Sequence, residues 1–240
     1  MSLNAIIFDL DGTLIDSNRA HVAAWGAAME KHCYQVSADR IAVEIGRGGD
    51  KLVPSILGKE IEDRSGDALR HAQVKEFTNI AESTHLAAFE GVESLFTLLR
   101  KRGLKIGLAT SSKKDAVKTI QRSAGVDWSR FFDVIATAED APESKPAPDV
   151  LQVAIRKLKL SPTECAMVGD SRYDADTARD AGVVCLGLDC GKLNDAAALR
   201  AAGMRKVYRD PSDMAANLDD ALRMASPGSI VLKQIPIESL

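Results

Sequence analysis

Short apolar runs recur along the chain, each closing on a polar or glycine-containing turn. The first, Asn4 to Phe8, is β-branched and aromatic and stops at Asp9-Leu10-Asp11-Gly12-Thr13. Further runs follow at Leu104 to Ala109, Val134 to Ala136, Ala166 to Val168 and Val183 to Leu188. Such runs read as strands buried on both faces of a sheet. Between them, apolar residues at 92, 95, 96 and 99, and again at 150, 151, 154, 155 and 158, have the spacing of helices that cover a sheet. Strands alternating with helices predict a parallel sheet, an α/β fold.

Residues 18 to 88 break the alternation. Helical patterns around Ala20 to Cys33, Ala38 to Ile45, Lys51 to Leu57 and Asp67 to Glu82 follow one another with no strand between them. The expected organisation is a core of residues 1–17 and 89–240 with an α-helical insertion, 18–88. Gly91 marks the return to the core. The tail from Ser226 to Leu240, with Pro227, Gly228 and Pro236, lacks a clear period and is expected to form an extra strand or a docked extension.

Composition narrows the function classes. With 240 residues and 45% hydrophobic content the chain can build a sizeable core. The 31 Lys and Arg against 34 Asp and Glu leave a net charge of -3 and no basic stripe, which argues against a nucleic-acid partner. No apolar run approaches the ~20 residues that span a bilayer, so no membrane role is expected. Cysteines at 33, 165, 185 and 190 form neither a CxxC pair nor a zinc pattern, and no signal segment precedes them. A cytoplasmic protein with reduced thiols is expected, as a monomer or homodimer.

In an open parallel sheet, ligands bind beyond the carboxyl ends of the strands. Asp9 and Asp11 follow the first run, Thr110-Ser111-Ser112-Lys113 the second, Lys145 the third after an acidic stretch, and Gly169-Asp170-Ser171-Arg172-Tyr173-Asp174 the fourth. Asp9, Asp11 and Asp170 gathered at one point would repel unless a cation neutralised them. Few hard oxygen ligands suit Mg²⁺, and a hydroxyl with a lysine supplies donors for phosphoryl oxygens. The constellation suits transfer of a phosphoryl group to or from a carboxylate. Asp174 has a plain alternative as a helix-capping residue, as do Thr110 to Ser112. Lys145 taken alone can be an ordinary surface lysine.

The stretch Phe8-Asp9-Leu10-Asp11-Gly12-Thr13-Leu14-Ile15-Asp16-Ser17 resembles the first motif of the haloacid dehalogenase-like hydrolase superfamily. Thr110, Lys145 and Gly169 to Asp174 resemble its later motifs in order. The resemblance implies a Rossmann-like parallel sheet core with an inserted α-helical cap domain. It implies Asp9 as nucleophile, Asp11 as general acid and base, and Thr110 and Lys145 as holders of the phosphoryl group. For Mg²⁺ it implies Asp9, the backbone carbonyl of Asp11, Asp170 and, directly or through a neighbour, Asp174.

The second carboxylate, Asp11, separates the chain from dehalogenases and favours a phosphatase acting on a small phosphorylated metabolite, a sugar phosphate or phosphoglycolate-like compound. A phosphomutase resembling the β-phosphoglucomutase branch is the alternative, hinted at by His21 and by Lys113. A receiver-type signalling domain fits poorly with the nucleophile on the first strand and a long insertion. Substrate choice should lie in the insertion, where Ile45-Gly46-Arg47-Gly48-Gly49-Asp50-Lys51 offers backbone and charge together. Arg47, then Lys51, is the expected contact, with Ser111, Lys113 and His21 completing the substrate side. A helix connector with solvated charges is the ordinary reading of that glycine-rich loop.

Overall fold

The computed structural model describes residues 2–226; the expectation for the tail falls on residues outside that range. Six strands form one sheet: β1 (Ala5–Phe8), β2 (Lys105–Ala109), β3 (Val134–Ala136), β4 (Cys165–Gly169), β5 (Val184–Leu188) and β6 (Val207–Tyr208). Their order is β3-β2-β1-β4-β5-β6, and every pair is parallel. The expected α/β fold with a Rossmann-like parallel sheet is what the chain adopts. β1 alternates its side chains between two cores. Ile6 and Phe8 face α5 (Val92–Lys101) and α6 (Lys114–Ser123), while Ala5 and Ile7 face α7 (Asp149–Leu158) and α8 (Arg172–Asp180). Burial on both faces explains the unbroken apolar runs.

Between β1 and α5 lie four helices in succession: α1 (Asn18–Lys31), α2 (Ala38–Ala42), α3 (Gly49–Leu57) and α4 (Lys59–Ser83). They enclose a third apolar cluster built on Trp25, Met29, Ile41, Leu52, Val53 and Leu69. The segment leaves and rejoins the core at one place. Asp16 N–H donates to the Ala87 carbonyl at 2.9 Å, and Phe89 N–H donates to the Leu14 carbonyl at 3.0 Å.

Three differences from the sequence reading have physical causes. α4 starts eight residues before the expected Asp67, because its first turns are held by ion pairs such as Lys59–Asp63 (2.8 Å) and Glu62–Arg70 (2.7 Å), not by an apolar stripe. β6 has two residues, too few for a periodic signal. α6 buries only Val117 and Ile120, and α9 (Ala196–Ala201), α10 (Pro211–Ala216) and α11 (Leu218–Ala225) are short. Of these four helices, α6 falls where a helix was expected between the second and third runs, and the other three were not expected from the pattern.

Candidate active site

The register of the sheet brings the predicted carboxylates together. Phe8 stands level with Leu108 and Val168, so Asp9, Ala109 and Gly169 end their strands at one height. The strand order reverses between β1 and β4, the place where open α/β sheets bind ligands. The chain turns sharply after Asp9, and Gly12 takes φ +73° there. A Cβ on Gly12 would lie 2.1 Å from both Asp170 Oδ2 and Asn18 Nδ2, so only glycine lets this turn close on Asp170.

Asp9, Asp170 and Asp174 are buried, and one carboxylate oxygen of each lies within 4.8 Å of the others. Lys145, fully buried, donates to Asp9 Oδ1 at 2.7 Å and to Asp174 Oδ1 at 2.8 Å. The cluster of three carboxylates therefore holds a single ammonium, which touches two of them. Burial, with Asp174 and Asp11 adding repulsion against the attraction of Lys145, pushes the Asp9 carboxyl up to about 7. Burial and then the charges of Asp174 and Asp9 hold Asp170 well above the usual carboxylate range. Burial alone would lower Lys145, but the Asp174 and Asp9 carboxylates outweigh it and raise the ammonium above its ordinary value.

Asp174 has both oxygens engaged. Oδ1 accepts from Lys145, and Oδ2 accepts from the Ser171 N–H (3.0 Å) and Oγ–H (2.6 Å) as the far half of a capping box on α8. Asp170 is steered by Thr13 Oγ1 (3.1 Å) and Asn18 Nδ2 (2.8 Å). The sequence reading missed Asn18, although it follows the first motif directly and opens α1. A small hard cation fits this set: all donors are carboxylate oxygens, and the lysine leaves negative charge uncompensated. The Asp170 oxygens accept one hydrogen bond each, and Lys145 reaches only Oδ1 of Asp9.

Asp11 accepts from Ser17 Oγ (2.5 Å) and Ser112 Oγ (2.8 Å), and His21 Nε2 lies 3.0 Å from its Oδ1. Burial pushes this carboxyl up, but His21, Ser17 and Ser112 together bring it below the usual value. His21 stacks on Phe77 with ring centroids 4.1 Å apart, and its Nδ1 lies 3.4 Å from Gln73 Nε2. Thr110 is buried beside Asp9 and accepts from the Ser112 N–H at 3.0 Å. Its neighbour Ser111 has a buried hydroxyl with no hydrogen-bond partner.

A cavity of about 390 Å³ opens over these groups. Of the predicted residues, Asp9, Asp11, His21, Arg47, Thr110, Ser111 and Lys113 line it, while Lys145, Asp170 and Asp174 lie outside its lining. Arg47 pairs with Glu44 (2.9 Å) and lies over the Tyr173 ring, 4.4 Å from its centroid; its Nε is buried without a partner. Lys51 does not line the cavity. Its Nζ pairs with Glu143 at 2.5 Å, next to the Gly48 N–H that donates to the Lys145 carbonyl (3.3 Å) and the Ser144 Oγ–H that donates to Asp50 (2.5 Å). The place expected for a substrate contact is thus taken by an ion pair between the insertion and the loop before Lys145.

Residues 3–182 match the model of a hydrolase family, the haloacid dehalogenase-like hydrolases. The chain belongs to that family. Among curated relatives, pyrophosphatase PpaX of Bacillus pumilus is 30% identical over 189 residues, 78% of this chain and 83% of the relative. Among solved structures, a hydrolase from Pseudomonas syringae superposes with a TM-score of 0.83 at 30% identity, covering 90% of this chain and 98% of the other. A β-phosphoglucomutase from Clostridium difficile shares the fold alone, with a TM-score of 0.77 at 19% identity over 92% and 96% of the two chains. This haloacid dehalogenase-like hydrolase carries its carboxylate cluster and cavity on the carboxyl side of the sheet, where the four-helix insertion meets it. Among the described residues no helix is long and apolar enough to cross a membrane.

Proposed function

We propose that this hydrolase is a Mg²⁺-dependent phosphatase that acts on a small phosphorylated metabolite through an aspartyl-phosphate on Asp9. Residues 18–88 serve as a cap over the core, and the cytoplasm is the proposed compartment. The reading rests above all on the three buried carboxylates gathered beside a cavity with one lysine between two of them, an arrangement whose excess negative charge a bound cation would offset. Relatives named as pyrophosphatases add inorganic pyrophosphate to the substrates worth testing.

The chemistry follows from the donors around Asp9. Lys145 occupies Oδ1, which leaves Oδ2 to attack phosphorus while the bond from phosphorus to the leaving oxygen breaks. Thr110, Ser111 and Lys145 offer an O–H, an O–H and an N–H to the transferring oxygens. The leaving oxygen takes a proton from Asp11, whose partner His21 Nε2, 3.0 Å away, is in reach to supply it. In the second step Asp11, as the carboxylate that its neighbours favour, takes a proton from water. That water attacks phosphorus, the bond to Asp9 breaks, and inorganic phosphate leaves. Asp9, Asp170 and the Asp11 carbonyl, with Asp174 bracing the set, are the groups that would hold Mg²⁺, which would supply charge stabilisation to the phosphoryl oxygens. Arg47, on the cap side of the cavity, holds the part of the substrate that leaves.

The test is phosphate release by wild type and Asp9→Asn, with and without Mg²⁺, over sugar phosphates, phosphoglycolate, pyrophosphate and nucleotides. Selective release that needs both Mg²⁺ and Asp9 is expected. Undiminished release by Asp9→Asn overturns the proposal, and isomerisation of β-glucose 1-phosphate with little free phosphate replaces it with a phosphomutase.

A further inference from the structure

Tyr173 lies in the chain between Asp170 and Asp174, yet its contacts are made with the insertion. The residue is buried, and its hydroxyl oxygen is 2.9 Å from the Val43 carbonyl and 3.1 Å from Glu44 Oε2, while Arg172 donates to it at 2.7 Å. Glu44 is itself buried and shares its carboxylate among four donors. Arg40 (2.6 Å) and Ser55 (2.8 Å) reach Oε1; Arg47 (2.9 Å) and Tyr173 reach Oε2. The Tyr173 ring meanwhile supports the Arg47 guanidinium from below at 4.4 Å.

Arg47 is thus held twice by one residue: directly on the ring face and through Glu44 by the hydroxyl. The loop that carries it sits hard against the same segment. Gly46 has φ +104°, and a Cβ there would lie 2.6 Å from Ser171 Oγ and 3.2 Å from the Tyr173 ring. A long, flexible arginine binds an anion well only when its side-chain freedom has been removed beforehand. Arg47 lines the cavity, and its buried Nε has no protein partner.

We infer that Tyr173 is a positioning residue that fixes Arg47 over the cavity and so sets affinity for phosphoesters and anhydrides whose leaving part carries a second negative charge. This rests on the proposed role of Arg47 in holding the leaving part. Through the capping box of Ser171 and Asp174, the same five-residue stretch, Asp170 to Asp174, that carries two of the clustered carboxylates also aims Arg47.

The experiment compares wild type, Tyr173→Phe, Arg47→Ala and the double variant with phosphoglycolate, pyrophosphate and p-nitrophenyl phosphate, the last with a leaving part that lacks a second phosphate or carboxylate. Each anionic compound is read as KM where it turns over and as an inhibition constant against p-nitrophenyl phosphate where it does not. Loss of one hydroxyl contact should raise KM or the inhibition constant for the anionic compounds by about 3- to 10-fold, leave kcat within about twofold, and leave p-nitrophenyl phosphate unchanged. On the Arg47→Ala background Tyr173→Phe should add nothing, the signature of action through one partner. A rise with Arg47→Ala but none with Tyr173→Phe overturns the positioning role. So does a Tyr173→Phe effect that persists in full without Arg47 or extends to p-nitrophenyl phosphate, because that is a structural role. No response to Arg47→Ala removes instead the reading of Arg47 on which the inference stands.

Discussion

Replacing Lys145 by methionine tests the electrostatics of the site most directly. The ammonium donates to Asp9 and Asp174 at 2.7 and 2.8 Å, and the three side chains are 1%, 6% and 0% exposed. Methionine keeps the volume and removes the charge, leaving carboxylates buried without their cation, a loss of about 3–5 kcal/mol. Protonation relieves part of that loss. The Asp9 carboxyl stands at about 7 even with the lysine present, and without it the value rises further. A carboxyl raised in the fold keeps a proton that the unfolded chain has already released above about pH 4, so stability falls as pH rises through that window. The penalty should therefore be about 3–5 kcal/mol at pH 8.5 and less than half as large at pH 5.5. Urea unfolding of both proteins in EDTA measures it. A penalty below about 1 kcal/mol at pH 8.5, or one that grows on acidification, would refute the reasoning.

Three further outcomes are expected. Asn18→Ala removes the donor that steers Asp170 Oδ2 and should weaken Mg²⁺ about 10-fold or more, read by calorimetric titration and by the Mg²⁺ dependence of turnover. Asp140 is opposed by burial but favoured as an anion by the Thr137 N–H and hydroxyl and by Lys157, which bring its carboxyl down to about 2. That stabilisation is complete above the unfolded value near 4 and lost as pH falls through about 2, so Asp140→Asn should cost about 2 kcal/mol at pH 7 and the difference should vanish in acid unfolding near pH 2. Gly46→Ala places a methyl against Ser171 at positive φ and should cost about 1–3 kcal/mol in thermal unfolding while raising KM, because the Arg47 loop must lift.

What the sequence showed, it showed through periodicity and position. β1, β2, β4 and β5 are legible because burial on both faces makes them unbroken apolar runs, and the family resemblance covers the polar residues that follow them. A chain of alternating elements also fixes which ends of the strands meet, so Asp9, Lys145 and Asp170 could be expected near one point. Contacts between segments far apart in sequence were not legible. Tyr173 and Glu44 are 129 residues apart, and each alone looks like an ordinary surface side chain. Lys51 shows the converse: a cation in a glycine-rich loop reads as a ligand contact, yet Glu143, distant in sequence, neutralises it. α9, α10 and α11 escaped for a third reason, since at six, six and eight residues they are too short to show a stripe.

The bridge at Ile15 and Ala88 closes the base of the insertion. Because Ile15 bridges Ala88 in antiparallel fashion, the chain departs from the sheet and returns to it through a single doorway. Whatever is threaded between the two sides of that doorway can lengthen, shorten or be replaced wholesale while β1 and β2 keep their places. A graft would have to retain the opening turns of α1, where Asn18 and His21 reach back to Asp170 and Asp11, and the contacts that Val43 to Lys51 make with Glu143 to Lys145 and Tyr173. Away from those contacts the segment can change in length and sequence while the sheet beneath it keeps its register.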